Sequence, residues 1–216
     1  MRHHTHYLRH ITDWFEWLKN PKFGDIAGGN YSEFETDGSL VMKGDATVWD
    51  DLRFPASAQD KSGSPTLVSY KSGQVLTLAS NVNQGIFFNA QLPHGYMFGG
   101  DLDLHVHYVL PTAGAGAGVE NVKFDATVCV ADINGTFGTP QNLTVTVDVQ
   151  NLAADTHYLV DLGSITNSIA GVSAMMIRSL ERDVSVANDY SSSVYLLEAD
   201  FHYEIDSLGS REEYVK

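Results

Sequence analysis

The chain has 216 residues, 43% of them hydrophobic and 19% charged, which is enough apolar material to bury a core and excludes a disordered tail. Lys and Arg number 13 against 27 Asp and Glu, and the formal charge of −14 argues against packaging nucleic acid or adsorbing to an anionic membrane. A single cysteine, Cys129, excludes an intrachain disulfide framework and a multi-cysteine zinc site.

The opening MRHHTHYLRH lacks an apolar stretch and a small-residue cleavage site, so no secretory signal is expected, and no apolar run reaches membrane-spanning length. Tyr7, Leu8, Ile11, Trp14, Phe15 and Leu18 recur at helical spacing, and Trp17 widens the same face. Thr5 suits the N-cap, and Asn20-Pro21 stops the helix because the residue before proline disfavours the α region. Residues 1–21 are therefore predicted to be an amphipathic helix. A lone helix of about fifteen residues is marginal in water, so its apolar face is expected to dock on another protein chain. Arg9 and Lys19 are balanced by Asp13 and Glu16, which favours protein over lipid as the surface it meets.

Beyond Pro21 the pattern changes to strands separated by Gly, Asn, Asp and Ser clusters. Leu102, Leu104, Val106, Tyr108 and Leu110 alternate with Asp101, Asp103, His105 and His107. Val122 to Val130 and Leu143 to Val149 repeat the period of two. Tyr195, Leu197, Ala199, Phe201, Tyr203 and Ile205 oppose Glu198, Asp200, His202 and Glu204, which predicts that the odd positions face the core. PTAGAGAG at 111–118 is expected to be a flexible connection between two strands, and a weak helical turn is expected around Ile165 to Ala170. The prediction is all-β: an antiparallel sandwich over 22–206, of jelly-roll type, between the N-terminal helix and a tail at 207–216.

His105 and His107, at i and i+2 on a strand, project from one face, and His202 lies on a later strand with the same polar pattern. These three are the candidate metal ligands. Cupins, which are also jelly rolls, carry H-x-H on a strand, but they want a glutamate about four residues on, where Pro111 stands here. Hydrogen bonding of the histidines to Asp101, Asp103, Asp200 and Glu204 needs no ion, so no bound metal, no other cofactor and no catalysis are expected. Nucleophilic and phosphate-binding signatures are missing: there is no G-x-S-x-G elbow, and GAGAG is not followed by Lys and Ser or Thr.

Four stretches carry a more specific likeness: YSEFETDGSLVMKGDATVWDDLRFP at 31–55, LHVHY at 104–108, NGTFG at 134–138 and FHYEIDSLGSR at 201–211. Together they resemble a family of tailed-bacteriophage virion structural proteins, in which a NATVWxD run opens the domain, HxHW sits mid-chain and HYxIDxxGSR closes it. Tyr108 stands where that pattern has tryptophan. The resemblance implies a non-enzymatic virion component: a head decoration, a head or neck fibre, or a tail-associated adaptor. It would be assembled in the bacterial host cytoplasm on capsid, portal or tail proteins. A homo-oligomer is expected, a trimer favoured, with the helix as its anchor and with neither nucleic acid nor membrane as partner. The alternative is a receptor- or carbohydrate-binding virion module that uses a loop or the His105/His107 face.

Overall fold

The computed structural model describes residues 20–166, 169–210 and 212. The amphipathic segment with Tyr7, Leu8, Ile11, Trp14, Phe15, Trp17 and Leu18 lies outside the described residues. Among the described residues fourteen strands follow in order. β1 (Lys22–Asp25), β2 (Asn30–Phe34) and β3 (Leu40–Lys43) form a small antiparallel sheet of their own. After it come β4 (Val48–Pro55), β5 (Asp60–Ser62), β6 (Thr66–Tyr70), β7 (Gly73–Leu78) and β8 (Gln84–Gln91). The rest are β9 (Leu102–Val109), β10 (Asn121–Ala131), β11 (Gln141–Asp148), β12 (His157–Ile165), β13 (Met175–Arg182) and β14 (Val194–Ile205).

The last eight strands nest: β7 pairs with β14, β8 with β13, β9 with β12, and β10 with β11, all antiparallel. Two further pairings, β9 with β14 and β10 with β13, gather them into two sheets. The front sheet runs β12-β9-β14-β7-β6, and the back sheet runs β11-β10-β13-β8-β5. This is the strand order of a jelly roll. β4 adds to the front sheet by pairing with β14 from Glu198 to Ile205, beyond the point where β7 ends.

The inner faces of the two sheets make the core. Leu76, Leu102, Leu104, Val106 and Phe201 of the front sheet face Ile86, Val122, Phe124, Val128 and Met176 of the back sheet, all of them sealed from solvent. Tyr108 meets Phe124 across the gap with ring centroids 5.5 Å apart, and Phe54 meets Phe88 at 4.7 Å. Leu102 to Leu110 bury their even positions as the alternation predicts.

β14 departs from its predicted parity. Val194 and Leu196 are buried at one end, and Ala199, Phe201 and Tyr203 at the other. The switch falls at a bulge between Leu196 and Glu198 in the pairing with β9. One extra residue there turns Tyr195 and Leu197 off the core while restoring the odd positions beyond it. Because all these residues are apolar or aromatic, the written alternation does not show the slip.

The glycine-rich connection is also more tied down than expected. Gly114 donates its N–H to Leu152 O at 3.0 Å, and Gly116 donates to Gln150 O at 2.9 Å. A Cβ on Gly114 would lie 2.0 Å from Val149 O, so glycine is there for close backbone approach. Ile165, where a helical turn was predicted, closes β12. The β1–β3 sheet, which the sequence pattern does not separate from the sandwich, is tied to the end of β14 by Met42 N–H donating to Asp206 O at 2.6 Å.

Candidate functional site on the front sheet

β4, β14, β9 and β12 place their outward residues on one surface. In register, His202 lies between Asp51 of β4 and Asp103 of β9, while Asp200 lies between Arg53 and His105. Asp161 of β12 faces His105 from the far side. Three of the four stretches behind the virion resemblance, TVWDDLRFP, LHVHY and FHYEID, are thus neighbouring strands, and their outward side chains build this surface.

Asp200 is the hub. Its side chain is 4% exposed; Oδ1 lies 2.8 Å from His107 Nε2, and Oδ2 lies 3.5 Å from His105 Nδ1. His107 Nδ1 is 2.7 Å from His157 Nε2, and those two rings stack with centroids 5.0 Å apart. With both imidazoles neutral and Asp200 ionised, one arrangement satisfies both contacts: His157 Nε2–H donates to His107 Nδ1, and His107 Nε2–H donates to Asp200. A hydrogen-bonded line therefore runs from exposed His157 on β12 to a buried carboxylate on β14. Burial pushes the Asp200 carboxyl above the usual carboxylate range, against the pull of His107 and His105.

His202 goes elsewhere. Its ring sits between Trp49, at 4.6 Å, and His105, at 5.4 Å, so three rings step across β4, β14 and β9. Trp49 is 51% exposed. Alongside, Arg53 grips Glu198 with two hydrogen bonds of 2.7 and 2.9 Å, and Thr47 Oγ1–H donates to Glu204 at 3.3 Å.

Of the predicted metal trio, His105 and His107 share Asp200, while His202 is a stacking partner. Both nitrogens of His107 are already engaged. Among the described residues no group of three His, Cys, Asp or Glu side chains is arranged to hold a metal ion. Sequence reasoning missed His157 and Trp49. His157 opens its strand in a segment without clear alternation, and only β12–β9 pairing brings it to His107. Trp49 is visible as a lone tryptophan, but its ring neighbour, His202, comes from a strand about 150 residues away in sequence.

Two other features lie apart from this surface. A cleft of about 590 Å³ is lined by Asp132, Ile133, Asn134, Ala170, Gly171 and Val172. Its carboxylate, Asp132, is spent on the N–H groups of Ala170 and Gly171 at 3.4 and 3.2 Å. His94 bridges Ser173, at 2.7 Å, and Ser210, and so clips the chain beyond β14 to the start of β13.

No family model matches the chain, and no curated protein matches it. Among solved structures it is similar to the exo-β-1,3-galactanase of Phanerochaete chrysosporium, at 12% identity and a TM-score of 0.39 over 80% of this chain and 33% of that one. It is also similar to a xylan-binding domain of CBM 22, at 13% identity and TM-score 0.35 over 67% of this chain and 85% of that one. The VP2 subviral particle of infectious bursal disease virus matches at 15% identity and TM-score 0.34, over 86% of this chain and 40% of that one. The chain thus spans a third of the galactanase and two fifths of the viral protein. Likenesses this distant assign no ligand or partner to it.

Proposed function

We propose that the protein is a non-catalytic structural component of a tailed-bacteriophage virion, displayed as a jelly roll and anchored by residues 1–21. The observation that supports this is the convergence of TVWDDLRFP, LHVHY and FHYEID on adjacent strands, where they form one continuous outer surface. These stretches are scattered along the sequence, yet strand pairing sets their outward side chains side by side. The jelly-roll order, which also builds viral capsid domains, is consistent with that role.

In this reading the apolar stripe of Ile11, Trp14, Phe15 and Leu18 seats on a capsid, portal or tail protein, and several copies, three in the favoured case, occupy a symmetric platform. Mass spectrometry of density-purified particles tests it: the full chain should be present in fixed stoichiometry. A Trp14→Ser/Phe15→Ser variant should stay folded by circular dichroism and be lost from the particles. Particles that contain none of the wild-type chain, or that take up the double variant as well as the wild type, overturn the proposal.

A further inference from the structure

The row of rings on the front sheet has a composition that selects its ligand. Trp49 presents half of an indole to solvent from a strand that pairs on one side only among the described residues. His202 and His105 continue the ring row over two strand spacings, about 10 Å. Asp51 and Asp103 flank His202 in register, and Glu204 lies opposite Trp49. An aromatic plate bordered by hydrogen-bond acceptors suits a ligand with one CH-bearing face and a rim of hydroxyls.

Other ligand classes fit poorly. The centre of a protein–protein interface is depleted in charged residues, whereas here three carboxylates stand among the rings. Anionic ligands would meet those carboxylates and Asp200, and the neighbouring guanidinium, Arg53, is already held by Glu198. Hydroxyl groups, by contrast, make their strongest hydrogen bonds to ionised carboxylates.

We infer that Trp49, His202 and His105, with Asp51 and Asp103, form a binding surface for an uncharged oligosaccharide. One sugar ring lies on the Trp49 indole with a hydroxyl donating to Asp51, and the next ring continues over His202 and His105 toward Asp103, which also accepts from the Ser164 hydroxyl. The inference goes beyond the virion role and does not depend on it, since a virion component with a bare front sheet would still be found in particles.

The test uses the full-length protein on an array of neutral hexose and N-acetylhexosamine oligosaccharides, with sialylated and sulfated glycans beside them. Calorimetry on the best neutral ligand follows. Binding should be confined to neutral glycans, and Trp49→Ala should weaken it at least tenfold. Asp51→Ala should weaken it several-fold, which gives a second reading should the tryptophan variant fail to fold. Phe87→Ser, on the outer face of the back sheet, should leave affinity unchanged. The inference is overturned if no neutral glycan binds, if only acidic glycans bind, or if both front-sheet variants bind as tightly as wild type.

Discussion

Arg178 and Arg182 project from β13 into the same core, in different company. Arg182 donates to the carbonyls of Leu78, Ser192 and Tyr190 and to the Asp189 carboxylate at 2.8 Å. Arg178 lies among the rings of Phe54, Phe88 and Phe201, 4.1 to 4.7 Å from their centroids. Its Nε and Nη2 have no hydrogen-bond partner among the described residues, and burial pushes its pKa down to about 9. Replacing each by methionine should separate a paired cation from an unpaired one. Arg182→Met strands the partly buried Asp189 carboxylate and three carbonyls and should cost about 3–5 kcal/mol. Arg178→Met trades cation–π contact for relief of an unpaired buried charge, and should stay within about 1 kcal/mol of wild type. Urea unfolding of the two variants checks this pair of values.

Two carboxylates give opposite acid responses at the same scale. Lys123 and Ser185 hold Asp183 well below the usual carboxylate range. The folded state therefore binds its proton less readily than the unfolded chain, and the stability it supplies is present above the unfolded pKa and lost as pH falls. Asp200 is raised by burial, so its native state holds a proton more tightly than the unfolded chain does. Its contribution is fully present below the unfolded pKa and is lost as pH rises through the folded value. Unfolding free energies measured from pH 3 to pH 7 should show that Asp183→Asn removes stability mainly at the neutral end. Asp200→Asn, which keeps an acceptor for His107 Nε2–H, should gain relative to wild type over the same rise.

Among the elements, β8 is held against β13 by a close backbone approach at Gly85. A Cβ on Gly85 would come within 1.9 Å of Leu180 O and 2.6 Å of the Glu181 Cα, both backbone atoms of the paired strand that cannot swing aside. Gly85→Ala should therefore cost at least about 2–3 kcal/mol by forcing β8 away from β13. A thermal melt next to Gly73→Ala, where a Cβ would meet nothing within 4 Å, checks it. Such elements also mark how far the sequence can be read. Alternation alone finds β9, β10 and β11, because along most of each strand one face is more buried than the other. It fails at β14, where aromatic and apolar residues on both sides of the bulge hide a change of face. The front-sheet surface was half legible: the i, i+2 spacing of His105 and His107 puts them on one face, and their shared partner Asp200 was among the acceptors named. The roles of His157, Trp49 and His202 depend on which strands lie side by side, and no local pattern encodes that.

At the scale of the whole molecule, nested pairing sets the order in which the chain can become stable during synthesis. β14 lies between β9 and the β4/β7 edge, so the front sheet has a gap at its centre until β14 has left the ribosome. Until then the inner faces of Leu76, Leu104, Val106 and Phe124 lack Leu196, Phe201 and Tyr203 to close the core. Long-range strand pairing of this kind folds slowly and exposes sticky surface while it waits. A chain stopped at Ser193 should accumulate in the insoluble fraction, while one stopped after Ser210 should be soluble; comparing the two by sedimentation after expression checks this. A ribosome that stalls before β14 is made would release a polypeptide with every other strand of the two sheets present and yet adhesive, so the codons for residues 194–205 decide whether what precedes them is usable.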